Sequence, residues 1–284
     1  MASIRDIRQR IKVVRNIQQI TGAMKMVAAA RLKKAQNRAE AARPYADKMN
    51  QVMAGLARVS AGIDHPLLEV RPEVNIAAIV IGADRGLAGS YNPNVMRRAV
   101  ELLRGRDAET VRLVLMGRKA VDFFRKRSYP VAATLSVPTT NVSFAEIRTV
   151  AAKTRELFES KEVDAVYLVY SQFVTAMTQR PTVLKLLPIE AHADEEESSG
   201  EFIFEPGTEQ LFARLLPRYV DTQIYRALVE AVASEQGARM TSMTAATKNA
   251  GEMIDDLTLT YNKVRQAAIT KEISEIVSAA EALR

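Results

Sequence analysis

Two long segments with a helical repeat of apolar residues, one near each end of the chain, constrain the fold more than any other feature. The first follows Ser3, a predicted N-cap with Asp6 three residues later. Its apolar residues recur in steps of three and four at Ile4, Ile7, Ile11, Val14, Ile17, Ile20, Met24 and Val27. We predict one helix over about residues 3–57, kinked near Pro44, roughly 80 Å long and with a narrow apolar seam.

The second segment runs from Pro217 to Arg284 without another proline. Heptad steps link Met243, Ala250, Leu257 and Val264, with Ala246, Met253, Thr260 and Ala267 between them, and the phase then shifts to Ile269, Ile276 and Leu283. Neither narrow seam can be buried alone, so we expect the two helices to pair with each other. With a domain between them, an antiparallel coiled coil is the simple topology.

Residues 231–251 contain few large apolar side chains and many Ala, Gly, Ser and Thr, and the first helix offers Ala23 and Ala28–Ala30 opposite them. Small residues let helices approach closely, so we expect a thin shaft here. Burial of one alanine methyl contributes about 0.8 kcal/mol, whereas ordering one residue costs about 1–2 kcal/mol. Either the shaft frays in isolation or other chains sleeve it, and its basic flank favours the second alternative.

The middle of the chain has a different pattern, in which short apolar runs alternate with helical stretches. Strands are predicted at Asn75–Ile81, Val111–Met116, Val131–Leu135, Asp164–Tyr170 and Thr182–Leu187, and helices at Asn94–Arg104, Arg118–Lys126 and Phe144–Ser160. This alternation predicts a mostly parallel, Rossmann-like α/β layer structure, and Pro181 and Pro188 favour an edge position for the last strand. Asp194–Gly200 is a predicted loop and Glu201–Phe204 a short strand.

The predicted organisation is therefore an N-terminal shaft helix at 1–58, a Rossmann-like domain at 74–206 and a C-terminal shaft helix at 208–284. The 284 residues include no Cys, which excludes disulfides and thiolate metal sites, and no apolar run is long enough for a membrane span. The formal charge is +7. Residues 1–57 hold twelve Lys or Arg against three Asp or Glu, whereas 208–284 is nearly neutral. The basic character belongs to the first helix, which favours an acidic partner.

The most enzyme-like stretch is Gly82–Asn92, a Gly-rich loop directly after a predicted strand. Its glycines at 82, 86 and 89 match neither the dinucleotide fingerprint nor the phosphate loop. A tight βα turn is favoured over a small-molecule site, which stays an alternative. The histidines His65 and His192 lack metal-pair spacing and are expected on the surface, and Asp255, Asp256, Glu272 and Glu275 are expected to be solvated or partner-facing. We predict no catalytic residue, cofactor or metal.

Specific motifs carry a resemblance to a known family. They lie at Ile4–Ile11, Gln19–Gln36, Asp84–Asn92, Ala233–Glu235, Ala238–Met240, Ala246–Ala250 and Leu257–Val277. In this order, over both ends and the centre, they closely resemble the γ subunit of rotary ATP synthases. Two positions depart from the family pattern: Gly22 stands where Lys is usual, and Ala88 where Cys is frequent.

The resemblance implies a rotor without an active site of its own. The paired helices would stand in the ring of α and β subunits, and the α/β domain would rest with the ε subunit on the membrane-embedded c-ring. Proton flow would turn the shaft, which would drive the β subunits through their nucleotide states and regulate hydrolysis and proton flow. The complex would lie on the cytoplasmic face of a bacterial cell membrane, with membrane association only through partners.

By position in the family motifs, ring contacts are expected along both helices. Met24 and Lys25 would face an acidic loop of β, and polar contacts with the ring would come from Arg239, Arg265, Gln266, Thr270 and Glu272. Arg31, Lys33 and Lys34 extend the basic set. Exposed ion pairs contribute only about 0–1 kcal/mol each, so these cations can register against a partner and release it.

Two other function classes stay open at this point. A nucleic-acid-binding protein would explain the pI of about 9.6, although groove-reading clusters are missing and the second helix is neutral. A Rossmann-type enzyme with helical dimerisation arms is the other alternative. Salt-sensitive binding to duplex DNA would favour the former, and tight nucleotide binding by the isolated chain would favour the latter. We expect neither.

Overall fold

A computed structural model describes residues 3–59, 65–137, 144–189 and 208–282. His192, the loop Asp194–Gly200 and the short strand Glu201–Phe204 lie outside the described residues. The helices are α1 (Ile4–Val59), α2 (Tyr91–Leu103), α3 (Arg118–Phe124), α4 (Phe144–Glu159) and α5 (Thr208–Ala282). The strands are β1 (Ile76–Ile81), β2 (Val111–Met116), β3 (Val131–Leu135), β4 (Ala165–Phe173) and β5 (Gln179–Leu187).

The chain forms two compact units. Met1–Val27 and Met240–Arg284 make up one, which we call the helical pair, and Ala28–Arg239 make up the other, the α/β unit. Both long helices contribute to both units. α1 continues through Pro44 and α5 through Pro217. The predicted N-cap of α1 is confirmed, because Ser3 Oγ accepts from the amide of Asp6 and Asp6 Oδ2 accepts from the amide of Ser3, each at 3.2 Å.

Side-chain contacts set an antiparallel register in the helical pair, as predicted. Thr247 Oγ1 donates to Thr21 Oγ1 at 2.9 Å, and Arg8 donates to the hydroxyl of Tyr261 at 2.7 Å. Moving from the threonine contact by equal steps in opposite directions pairs Val14 with Ile254. These residues are buried or half-buried, apart from the exposed Arg8.

The predicted seam of α1 is wrong at Ile17, Ile20 and Val27, whereas the predicted Met24 is half-buried. Ile17, Ile20 and Val27 are 47%, 59% and 50% exposed, and the side chains that turn inward are Gln18 and Thr21. From Ile4 to Thr21 the seam positions keep an even alternation of three- and four-residue steps. Thr21 and Thr247 can occupy the seam because their hydroxyl groups have partners there. The hydroxyl of Thr21 accepts from that of Thr247 and donates to the carbonyl of Ile17 in its own helix.

In α5, one half of the predicted seam is confirmed and the other half is displaced by one residue. Met243, Ala250, Leu257 and Val264 are buried or half-buried, as are Thr247, Ile254, Tyr261 and Ala268. The predicted intervening residues Met253, Thr260 and Ala267 are exposed instead. Each displaced position is four residues beyond the preceding seam residue rather than three, which aligns it with the antiparallel partner. The predicted later seam residues Ile269 and Ile276 are also exposed.

The α/β unit contains a five-stranded sheet in the order β3-β2-β1-β4-β5. β1 pairs in parallel with β2 and β4, β2 with β3, and the edge strand β5 is antiparallel to β4. The Rossmann-like layer prediction and the edge position of the last strand are therefore confirmed. Ile76–Ile81 is fully buried along its whole length, as expected for a central strand with both faces covered.

Helices cover both faces of this sheet. Ile76, Ala78 and Val80 share one apolar cluster with residues of α2 and α3, among them Val95, Met96, Ala99, Leu103, Ala120 and Phe124. Among the residues described, α4 contributes none to this cluster and contacts β3 and β4. It therefore packs on the other face, where alternate residues of β1 point.

The small residues of α5 serve a different purpose from the one predicted. Ala231–Arg239 are all buried, within the α/β unit rather than in the helical pair. Ala238 joins the core cluster, and a Cβ added at Gly237 would lie 3.0 Å from the carbonyl oxygen of Ala176. The small side chains thus let α5 approach the β4–β5 hairpin closely. Of the small residues at 231–251, only those after Arg239 belong to the helical pair.

Candidate partner-binding surfaces

The Gly-rich loop at Gly82–Asn92 is held by its own polar residues. Asn92 Oδ1 accepts from the amide of Ala83 at 2.9 Å, and Asp84 Oδ1 accepts from the amides of Arg118 (2.9 Å) and Val137 (3.4 Å). These bonds satisfy the start of α3 and tie the loop to the end of β3. Asn92 and Asp84, the polar residues of this enzyme-like loop, therefore hold the backbone in place.

Two glycines explain the loop's composition. A Cβ at Gly82 would lie 3.0 Å from Met96 Cε and 3.2 Å from the Cβ of Ala120, so the strand end packs against α2 and α3. Gly89 has φ of +52°, in the left-handed region that favours glycine. This geometry is that of a tight βα turn, as favoured from the sequence.

The titratable groups of the α/β unit form structural networks. His65 is half-buried rather than on the surface: its Nδ1 accepts from the amide of Leu67, and burial lowers the pKa of its imidazole. Tyr167 donates to Glu73 Oε2 at 2.6 Å, which holds the pKa of that carboxyl below its ordinary value. Burial and this bond raise the pKa of Tyr167 to about 12.

Groups that could hold a metal ion are absent from the part of the chain that the structure describes. Asp255, Asp256 and Glu272 are exposed on α5, and Glu275 forms an exposed i,i+4 ion pair with Lys271. Nor does any described helix combine the length and apolarity needed to cross a bilayer.

The predicted contact residues of the helical pair lie mostly on its surface. Met24 is half-buried, whereas Lys25, Arg265, Gln266, Thr270 and Glu272 are exposed. Within the described residues, Lys25 has no ion-pair partner. A partner can therefore approach its ammonium group without first breaking an internal bond.

A second apolar stripe runs along the outside of α1 in the helical pair. Val13, Ile17, Ile20 and Val27 are each about half exposed, with the half-buried Met24 between the last two. Their four- and three-residue steps place them on one helix face, separate from the inner seam. The predicted seam of α1 combines residues of both stripes. The signal that separates them is the spacing of Gln18 and Thr21, which continues the inner heptad.

The far end of α5 is also uncovered. Residues 269–280 are exposed along their whole length, including the large side chains Ile269, Ile273, Ile276 and Val277. Large apolar side chains clustered on exposed helices mark protein-interaction surfaces. Both helices of the pair therefore carry apolar surface that the described residues leave uncovered.

In the α/β unit, the predicted contact residues divide into two kinds. Lys33 and Lys34 are exposed, and Arg31 is half-buried. Arg239 is only 6% exposed. Its guanidinium donates to the carbonyl of Gly86 at 3.2 Å and lies 2.6 Å from Glu235 Oε1, so its polar contacts are internal.

Comparison with known proteins finds similarity along the whole chain. A family model described as ATP synthase matches residues 3–283. The ATP synthase gamma chain of Desulfitobacterium hafniense is 50% identical over 283 residues, with 100% of both chains covered. That of Desulforamulus reducens is 49% identical with the same coverage, and that of Brevibacillus brevis is 47% identical over 98% of each chain.

Solved structures show the same architecture. A chain of the Tetrahymena thermophila mitochondrial ATP synthase central stalk and c-ring is 26% identical, with a TM-score of 0.62 over 80% of this chain and 99% of that one. A chain of the Euglena gracilis mitochondrial ATP synthase, in a structure of OSCP, F1 and c-ring, is 20% identical. Its TM-score is 0.69 over 99% of this chain and 94% of that one, which supports the fold.

Proposed function

Since the chain belongs to the ATP synthase γ chain family, we propose that its two terminal helices form the shaft that rotates within a ring of α and β subunits. The observation that carries this proposal is the match to bacterial γ chains at 45–50% identity over the full length of the chain. The chain is a non-catalytic subunit of a membrane-associated complex, and it supplies mechanical coupling rather than chemistry.

The uncovered apolar surfaces of the helical pair support the shaft function. A seam that contains threonines, Gln18 and Gly251 buries little apolar area, so the pair gains limited stability from its own contacts. A sleeve of partner subunits would cover the outer stripe at Val13–Val27 and the apolar residues near the end of α5. Such a sleeve would hold the pair straight while leaving the polar surface free to break and remake contacts.

In operation, proton flow through the membrane turns the c-ring, and the α/β domain, resting on that ring with the ε subunit, carries the rotation to the shaft. The two helices present different surfaces to the three catalytic β subunits, because α1 is basic and α5 is nearly neutral. Each β subunit therefore meets a different surface at each angle and passes through its nucleotide states in turn. ATP hydrolysis drives the same sequence backwards.

The proposed ring contacts on the helical pair are Met24, Lys25, Arg265, Gln266, Thr270 and Glu272, and those on the α/β unit are Arg31, Lys33, Lys34 and Arg239. Exposed ion pairs contribute about 0–1 kcal/mol each, which is weak enough to break at every step. Arg239 differs from the others, since a partner would reach it only through the small exposed part of its side chain.

We further propose that residues 1–58 and 208–284 act as the shaft helices and residues 74–206 as the ring-bound domain. The complex would stand on the cytoplasmic face of a bacterial cell membrane, held there through its partners. Nucleic acid has no place in this function, and neither does a cofactor bound to this chain.

Assembly with α and β subunits tests the function directly. The purified chain is mixed with both subunits, and complex formation is followed by gel filtration together with ATP hydrolysis. We expect a stable complex whose cooperative turnover greatly exceeds that of α and β alone. If no complex forms and hydrolysis stays unchanged, the rotor function is refuted, and titration of the isolated chain with nucleotides and duplex DNA would then examine the two alternatives.

Charge reversal tests the contact residues. Replacing Lys25, Lys33 and Lys34 together by Glu turns attraction to an acidic partner loop into repulsion, so we expect fewer protons pumped per ATP hydrolysed in reconstituted vesicles. Lys126→Glu is the control for reversing an exposed charge elsewhere, because Lys126 is exposed on the α/β unit outside the proposed set. Unchanged pumping per ATP in the triple variant would remove these lysines from the coupling contacts.

A further inference from the structure

The sheet order places a topological switch point between β1 and β4. From β1 the chain proceeds outward through β2 and β3, and it then returns across the sheet to β4 on the other side of β1. In open α/β sheets, ligands bind in the crevice outside the carboxyl ends of two such strands. A ligand in this fold would therefore lie beyond Ile81 and Phe173, the last residues of β1 and β4.

In this chain a turn of α5 occupies that position. Ser234 is fully buried, and its hydroxyl donates to the carbonyl of Ser171 near the end of β4 at 2.9 Å. Five residues later, Arg239 donates to the carbonyl of Gly86, in the loop that follows β1. The helix thus bonds to the backbone near the carboxyl end of β4 and in the loop after β1, the two strands that border the switch point.

The polar groups of this turn are buried to an unusual degree. Glu235 is 1% exposed and pairs with Arg239 across one helical turn at 2.6 Å. Burial raises the pKa of the Glu235 carboxyl, and Arg239 opposes that shift. A buried ion pair adds little stability relative to well-packed apolar residues, so its presence calls for another explanation, and fixing a single register is the best-attested one.

Shape alone sets the register of α5 weakly at this turn, because most residues around the polar ones are small. Ala231, Ala233, Gly237 and Ala238 offer little shape to block sliding or rotation, and the larger buried residues beside them are Val232 and Gln236. Directional hydrogen bonds can fix the register more sharply than these small side chains. The bonds of Ser234 and Arg239 each lose their geometry if α5 rotates about its axis or moves along it.

We propose that Ser234, Glu235 and Arg239 form a latch, seated where an α/β sheet of this order would bind a ligand, that fixes the rotational setting of α5 against the sheet. They are positioning residues for the transfer of torque between the α/β domain and the shaft, an inference that rests on the rotor function proposed above. Arg239 is the donor to the loop after β1, and Glu235 orients its guanidinium.

Amide hydrogen exchange of the full, isolated chain tests the latch itself. Ser234→Ala removes the bond to Ser171, and we expect about fivefold faster exchange in peptides that cover residues 83–91 and 171–179. Thr222→Ala is the matched control, since Thr222 is also buried but its hydroxyl donates to Arg218 in its own helix. Equal exchange in both variants at these peptides would overturn the proposal.

Glu235→Gln tests the ion pair and the torque function together. Leaving Arg239 without its partner is expected to accelerate exchange in the same peptides at least a hundredfold, by about the cost of breaking a buried pair. In the reconstituted complex, protons pumped per ATP should fall by half or more while ATP hydrolysis continues. Glu230→Gln is the control, because Glu230 forms an ion pair with Arg226 on the same helix at the same spacing.

The outcomes separate the two levels of the proposal. Faster exchange together with normal pumping in Glu235→Gln would overturn the torque function. If that variant does not fold, pumping by Ser234→Ala against Thr222→Ala decides the matter, and equal ratios would overturn the proposal. A wild-type chain that does not assemble with α and β would refute the rotor function, whereas the exchange result on the isolated chain would still report on the latch.

Discussion

Gly22 lies within α1 in the helical pair, one residue after the threonine contact that sets the register. Replacing it by alanine tests whether the pair is limited by backbone order, as its sparse seam suggests. A Cβ built at Gly22 has no atom within 4 Å, so the added methyl group meets open space. The change therefore alters the chain entropy and the helix propensity with little effect on packing.

The expected gain follows from these terms. Glycine in a helix interior is about 1 kcal/mol less favourable than alanine, and no steric cost offsets the difference here. Since 1.4 kcal/mol corresponds to a factor of ten, local opening of the helix should become about fivefold rarer. Amide hydrogen exchange of the peptide spanning residues 14–27, measured in the full chain, reports this factor directly.

Gly251→Ala is the matched control, because Gly251 lies in the facing helix near the same level. There the added Cβ would come within 3.1 Å of Gln18 Nε2, the mobile end of a long side chain. We expect Gly251→Ala to slow amide exchange less than Gly22→Ala does, since Gln18 has to move. Exchange that is unchanged or faster in Gly22→Ala would refute the view that backbone order limits the pair.

Two further predictions concern the α/β unit and use urea unfolding. Asp84→Ala should lower the free energy of unfolding by about 1–2 kcal/mol, because it removes the acceptor for the amides of Arg118 and Val137. Asp84→Asn keeps an acceptor oxygen, so it should lower the free energy of unfolding by less. Equal losses in the two variants would contradict this assignment. Tyr167→Phe should destabilise by about 1 kcal/mol near neutral pH. The lowered pKa of Glu73 means that its contribution is present above about pH 4.5 and is lost as the pH falls through the folded pKa. The raised pKa of Tyr167 means that its contribution is complete below pH 10 and is lost as the pH rises towards about 12. The difference between wild type and Tyr167→Phe should therefore shrink at both extremes, and a constant difference would contradict the pairing.

Most of the α/β layer could be predicted because its elements have unmistakable patterns. The buried strands at Ile76–Ile81 and Val111–Met116 are continuous apolar runs, and their predicted bounds agree with the structure to within a residue. β5 begins three residues earlier than predicted, at Gln179, because an edge strand tolerates polar residues and proline. The existence and pairing of the two long helices also followed from their periodicity alone.

The phase of the helical seam and the position of the latch could not be predicted. Ile17 and Gln18 are adjacent on the helix, and hydrophobicity favours the isoleucine, although the register of the partner helix places the glutamine inside. In the same way, Glu235 and Arg239 look like surface charges on a shaft. Only the tertiary packing of that turn against the sheet shows that they are buried. The proposed ring contacts remain predictions from the motifs.

The outer stripe of α1 has a consequence for the life of the chain before assembly. Ile17, Ile20 and Val27 are about half exposed, and in the proposed assembly they would stay in water until another subunit covers them. A newly made copy is therefore prone to stick to other copies or to unrelated proteins. A cell therefore gains from producing the chain in step with its partners and from degrading any surplus. When partners are scarce, the half-exposed isoleucines of the surplus chain stay uncovered and can drive aggregation.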